Sequence, residues 1–117
     1  MKIKTLSLIA VLSTAIVNSK CSKAIIDETP PNVITEEIRY NDEVKNIMLS
    51  YCTTCHASIT PSAGLDLTQY ESVRFSTENG ALIQRINSQT NPMPQSGLMP
   101  EIDRLKIQKW ADDGYPR

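Results

Sequence analysis

Histidine occurs once in 117 residues, as do tryptophan and phenylalanine, and glycine only four times. One histidine rules out any site that takes two imidazoles from this chain. Three cysteines cannot make a disulfide framework for a domain of this size. No strand-like alternation, no internal repeat and no low-complexity tract runs through the chain, so nothing points to a sheet or a solenoid. Basic runs are missing as well. Three of the twelve Lys and Arg residues (Lys2, Lys4 and Lys20) fall in the first twenty positions. From Cys21 onward nine basic residues face thirteen acidic ones, a net charge of −4. Nucleic-acid binding needs a basic face, and a mildly acidic body excludes it.

The N-terminal stretch reads as an address. Lys2 and Lys4 precede a twelve-residue apolar run, Leu6 to Val17, broken only by serine and threonine. That length suits a signal-peptide core and falls short of the roughly 20 residues of a membrane-spanning helix. Residues 1–20 are therefore expected to export the chain to the periplasm or cell envelope. Cys21, directly after the run, resembles the lipidated cysteine of a bacterial lipoprotein, although Lys20 before it departs from that pattern. Cleavage after Ala15 or an uncleaved anchor are the other readings. Residues 21–40, with Pro30-Pro31 and no sustained periodicity, read as a flexible tether. Fully extended, it would reach about 60 Å. Alternatively its last residues, through Ile38 and Tyr40, pack on the domain.

The domain proper is expected over residues 41–117, and it is all-α. Asn41 or Asp42 can cap a first helix in which Val44, Ile47, Met48 and Tyr51 fall at i, i+3, i+4 and i+7. A loop from Ala57 to Asp66 follows, with Pro61 and Gly64 as breakers. Leu67 to Phe75, capped by Thr68, and residues 81–86 are two further short helical stretches. Pro100 suits the first turn of a final helix whose apolar stripe is Ile102, Leu105, Ile107 and Trp110. Gly114 ends that helix, and Pro116 prevents its resumption.

The most specific run is Cys52-Thr53-Thr54-Cys55-His56. Two thiols three residues apart at a helix end share one face, where both can add to the vinyl groups of one porphyrin. The next residue offers an imidazole to the iron. A thioredoxin-like dithiol would need a βαβ setting, and a structural zinc site would need a fourth ligand. Haem c through Cys52 and Cys55, with His56 as iron ligand, is the reading the spacing favours. The position opposite His56 falls to a methionine, to a lysine or to no protein group. Met1 is in the leader, and Met48 belongs to the first helix's apolar stripe. Met93 stands between Pro92 and Pro94, which keep the backbone out of a helix, and it is the preferred ligand. Met99 precedes Pro100 at a helix entry, where an apolar residue commonly packs on the first turn.

The order of helix, CxxCH, Gly64-Leu65-Asp66-Leu67, Asn91-Pro92-Met93-Pro94, Ile107-x-x-Trp110 and Gly114-Tyr115-Pro116 resembles a cytochrome c domain. It is most similar to the small monohaem domains of Bacteroidetes envelope proteins, over residues 38–116. The resemblance implies thioethers at Cys52 and Cys55, His56 as proximal and Met93 as distal ligand, and a loop carbonyl, at Pro61, orienting the histidine. It also implies first and last helices crossing around one covalent haem, a large apolar plate that staples a domain of about 75 residues. Gln95 stands where the family often has another proline. The function implied is electron transfer between redox protein partners, with no small-molecule substrate and a membrane contact through Cys21. The competing functions are an electron-entry subunit of a larger envelope redox enzyme and an open-site haem sensor or enzyme.

Overall fold

The computed structural model describes residues 33–117. The leader, Cys21 and the first part of the tether lie outside the described residues. The fold is all-α: among the described residues there are helices and turns and no strand. A π-helical turn, Tyr40–Val44, runs directly into α1, Lys45–Tyr51. A 3₁₀ turn, Ser62–Gly64, interrupts the next loop. Then come α2, Tyr70–Glu78, α3, Leu82–Ile86, and α4, Glu101–Asp112. No helix among the described residues is long and apolar enough to cross a membrane.

The first helix starts one residue before Asn41, and neither Asn41 nor Asp42 caps it. Arg39, in an extended conformation, is the cap residue, and its N–H is taken by the Glu43 carboxylate at 3.1 Å. That reach back over four residues satisfies the cap residue's own N–H, as the acidic partner of a capping box does. The π-turn brings the Val44 N–H to the Arg39 carbonyl and leaves both Tyr40 and Val44 buried. Ile47 and Met48 continue the buried stripe, and Tyr51 packs against the core. Ile38 and Tyr40 belong to the packed core too, at 2% and 4% exposure.

The second helix is displaced from Leu67–Phe75 to Tyr70–Glu78, and Thr68 does not cap it. Thr68 instead gives both its N–H and its hydroxyl to the Asp66 carboxylate, at 2.8 and 2.7 Å. This local bond competes with helix formation and holds residues 66–68 in a turn, so helical structure begins only after Gln69. Leu67 is buried from a loop rather than from a helix. Gly80 lets α3 follow closely, since a Cβ there would stand 2.7 Å from the Ser76 carbonyl oxygen.

Pro100 sits just before α4, not inside its first turn, and its carbonyl accepts the N–H groups of Asp103 and Arg104. The apolar stripe of α4 is narrower than expected. Ile107 and Trp110 are fully buried, whereas Ile102 is 39% exposed. At about 100° per residue, Ile102 and Leu105 point away from the side that carries Ile107. Leu105 instead borders a shallow groove with Ile34, Gln108 and Lys109. The helix ends in a Schellman turn: Tyr115 N–H bonds the Trp110 carbonyl and Gly114 N–H that of Ala111. Gly114 takes the positive φ, +83°, that this turn requires.

Four of the six aromatic residues gather at the far end of α4. Trp110 meets Tyr115 edge-on at 5.0 Å, and Tyr40 meets Tyr70 at 5.1 Å in the same geometry. The Pro116 carbonyl accepts both the Tyr40 N–H, at 3.0 Å, and the Trp110 indole N–H, at 2.8 Å. The Tyr70 hydroxyl bonds the Tyr115 carbonyl at 2.7 Å. Arg117 stacks over the Tyr70 ring at 4.0 Å and pairs with Glu71. Thus α4 packs on the Tyr40–Val44 turn, α2 and α3 around one core. Denaturant unfolding should separate the two isoleucines of α4: Ile107→Ala costs about 2–5 kcal/mol, and Ile102→Ala stays within about 0.5 kcal/mol.

Candidate functional site

The motif begins where α1 ends. Cys52 is the C-terminal cap, its N–H bonded to the Met48 carbonyl at 2.8 Å. The Thr53 N–H shares that carbonyl at 3.0 Å, and the Cys52 carbonyl in turn receives the N–H groups of Cys55 and His56, at 3.2 and 2.9 Å. The five residues are therefore wound as one further turn continuing the helix. Cys52, Cys55 and His56 all lie on it.

The two cysteines are free and differ in surroundings. Cys55 is exposed, whereas Cys52 packs against the core and burial pushes its thiol up to about 11. A thiol of that kind stays protonated at neutral pH, unlike an activated cysteine. No strand lies among the described residues to supply the βαβ setting either. Nor do any three His, Cys, Asp or Glu side chains among the described residues converge to hold a metal ion, as a closed zinc site would require.

His56 is half-buried, and its Nδ1 lies 3.1 Å from the Leu65 carbonyl oxygen. A carbonyl only accepts, so Nδ1 carries the proton, and in the neutral ring the lone pair is then on Nε2. A histidine ligand oriented through its other nitrogen has this arrangement. The histidine's own carbonyl accepts the Leu67 N–H at 2.8 Å, so residues 65–67 clasp His56 from both its main chain and its ring.

The orienting carbonyl is thus Leu65 and not Pro61. The Pro61 carbonyl is occupied in closing the 3₁₀ turn, where it accepts the Gly64 N–H at 3.0 Å. The Ser62 N–H ties the same loop to the Cys55 carbonyl at 2.8 Å. Gly64, at φ +68°, then turns the chain so that Leu65 faces back toward His56. The sequence signal for this role is the Gly64-Leu65-Asp66-Leu67 run, a glycine breaker followed by alternating apolar residues.

Met93 stands on a separate segment. Its N–H bonds the Arg85 carbonyl of α3 at 3.0 Å, and its side chain is half-buried. The Met93–Pro94 peptide bond is cis. The rest of the loop is held by the Ser88 hydroxyl, which accepts the Asn91 N–H at 3.0 Å, and by Arg104, which bonds both the Met99 carbonyl and the Asn87 side chain. Met48 and Met99 are enclosed in the core, at 1% and 4% exposure. Among the methionines of the described residues, Met93 alone stands outside the fully buried set.

Among the described residues two buried polar side-chain atoms lack a hydrogen-bond partner, the Tyr40 hydroxyl and Arg85 Nε. Sequence reasoning singled out neither, because an unpaired donor is visible only once burial is known. Two thiols and an imidazole on one turn, and a thioether on a separate proline-bracketed loop, are the side chains that could hold a cofactor.

The loop that aims His56 is tied to a titratable group. Thr68 holds the Asp66 carboxyl below the ordinary carboxylate range through two hydrogen bonds. A depressed folded-state pKa makes the turn's contribution present above the unfolded pKa and lost as pH falls through the folded one. The Thr68 amide proton shift, followed by NMR, should titrate below the usual aspartate value, and Asp66→Asn should abolish that titration. No protein-family model, curated protein or solved structure matches this chain.

Proposed function

We propose that this chain carries one haem c, attached through Cys52 and Cys55, and passes single electrons between redox proteins of the cell envelope. The observation that carries the reading is the His56 ring, bonded at Nδ1 by the Leu65 carbonyl so that Nε2 is free for iron. Bound haem supplies a one-electron exchange at its iron, and His/Met ligation raises the potential of that exchange.

The chain's residues hold, orient and shield. Cys52, on the core side, and Cys55, at the surface, anchor the ring at two points of one turn. His56 and Met93 would ligate the iron, with the Met93 backbone fixed by the Arg85 carbonyl and by prolines on both sides. No acid or base is needed, because no proton moves. The reading is therefore a carrier rather than an enzyme, without a small-molecule substrate. Exposed Cys55 brings one attachment point within reach of a docking partner, and a transient interface at the small end of the size range suits donor and acceptor alike. Export by residues 1–20, with a lipid on Cys21 and the tether behind it, would keep the head swinging near its membrane-bound partners.

Optical spectra in both redox states test the reading. The wild-type chain should show a low-spin haem that turns high-spin in Met93→Ala. An unchanged mutant spectrum would move the distal ligand to Met99 or elsewhere, and a chain without haem would overturn the reading. Cells fed a clickable fatty acid should label the wild-type chain, and Cys21→Ser should lose the label and leave the membrane fraction.

A further inference from the structure

Charge is spread unevenly along this chain. Lys45 is followed by no Asp, Glu, Lys or Arg until Asp66, and Arg85 by none until Glu101. These two uncharged runs, residues 46–65 and 86–100, contain Cys52, Cys55, His56 and Met93, and every charged side chain of the described residues lies outside them. Two charges near their borders are in internal use. Asp66 accepts two hydrogen bonds from Thr68, and Arg104 bonds the Met99 carbonyl and Asn87. Exposed apolar side chains scattered singly need no explanation, but two of them flank the motif. Leu49, 53% exposed, lies one helical turn before Cys52, and the Thr53 hydroxyl bonds its carbonyl at 3.3 Å. Ile59, 84% exposed, is the most exposed large apolar side chain of the described residues. Its loop is tied back to the motif by the Ser62 N–H on the Cys55 carbonyl. Thr54 and Cys55, exposed as well, lie between the two along the chain.

We propose that the surface carrying Leu49, Thr54, Cys55 and Ile59 is the docking face for the redox partner, and that the partner meets it with an uncharged, apolar surface of its own. The inference rests on the haem reading above and names the class of partner. A partner with a basic or acidic docking patch would have to strip water from its charges against a face that offers no counter-charge. An uncharged partner surface carries no such cost, and Leu49 and Ile59 supply apolar area to bury. Steering between opposite charges, which speeds encounter at charged interfaces, plays no part at this face.

The test uses the full, haem-loaded chain in its ferrous state and two oxidants that report the charge where the electron leaves. Hexacyanoferrate(III) is a trivalent anion and tris(phenanthroline)cobalt(III) a trivalent cation; each takes one electron from the iron, leaving Fe(III). From about 0.1 M to about 1 M salt the Debye length falls from about 10 Å to about 3 Å, so only charges close to the exit point affect the rate. Over that range both wild-type rate constants should change less than about twofold. At the lower salt Ile59→Glu should slow the anion and speed the cation, each about fivefold, and Ile59→Lys should do the reverse. Leu49→Glu should act as Ile59→Glu does. Phe75→Glu, at an exposed position of α2 outside both uncharged runs, should leave both rates as in the wild type. A steeper salt dependence in the wild-type chain overturns the proposal in favour of a charged partner and leaves the haem reading standing. Variants at Leu49 and Ile59 that match the wild type, or that Phe75→Glu equals, also overturn it, because electrons then leave elsewhere. A wild-type chain that binds no haem overturns the proposal together with the reading beneath it.

Discussion

The Pro116 carbonyl closes this fold. It accepts the Tyr40 N–H at the start of the first helical turn and the Trp110 indole N–H near the end of the last helix. A buried indole N–H needs a partner, and a proline just past a helix end offers its carbonyl without continuing the helix. The two ends of the packed unit are thereby held against one another through a single oxygen. Tyr70 and Tyr115 then pack edge-on against Trp110, so most of the chain's few aromatic rings serve one closure. Low aromatic content is no handicap when the rings are concentrated where the terminal segments meet.

From that closure the motif's geometry follows. The helix that Tyr40 and Val44 anchor against α4 delivers Cys52 at its end, half inside the core. The following turn wraps around the Cys52 carbonyl, and the 3₁₀ turn and Gly64 bring the chain back to clasp His56. Separately, α3 and Arg104 pin the Met93 loop at Arg85, Asn87 and Met99. The two segments that bear the candidate ligands are thus fixed by separate hydrogen-bond sets. Both are built on the same core.

Much of this was legible in the residues. The i, i+3, i+4, i+7 spacing of Val44, Ile47, Met48 and Tyr51 predicts the stripe that packs inward, because a helix has one face to hide. Gly114 before Pro116 predicts the stop of α4. The grouping of Cys52, Cys55 and His56 follows from spacing alone, since five consecutive residues cannot travel far apart. Other features depend on competitions that spacing does not express. Thr68 bonds Asp66 rather than capping a helix, Glu43 rather than Asn41 serves the first helix, and Ile102 faces solvent although it matches the apolar count.

Local chemistry settles what a residue can do, and that much is written in its type and its neighbours. The sequence by itself determined the all-α class, the turn that unites two thiols with one imidazole, and the proline-bracketed methionine. Only the tertiary structure decided that Leu65, and not Pro61, holds His56 Nδ1, because a carbonyl's direction depends on which turns have already used their acceptors. Only it enclosed Met99, drew Ile38 and Tyr40 into the core, and left Arg85 Nε buried with no acceptor. Burial is a property of the whole packed chain, so a donor's lack of a partner cannot be read from its neighbours in sequence.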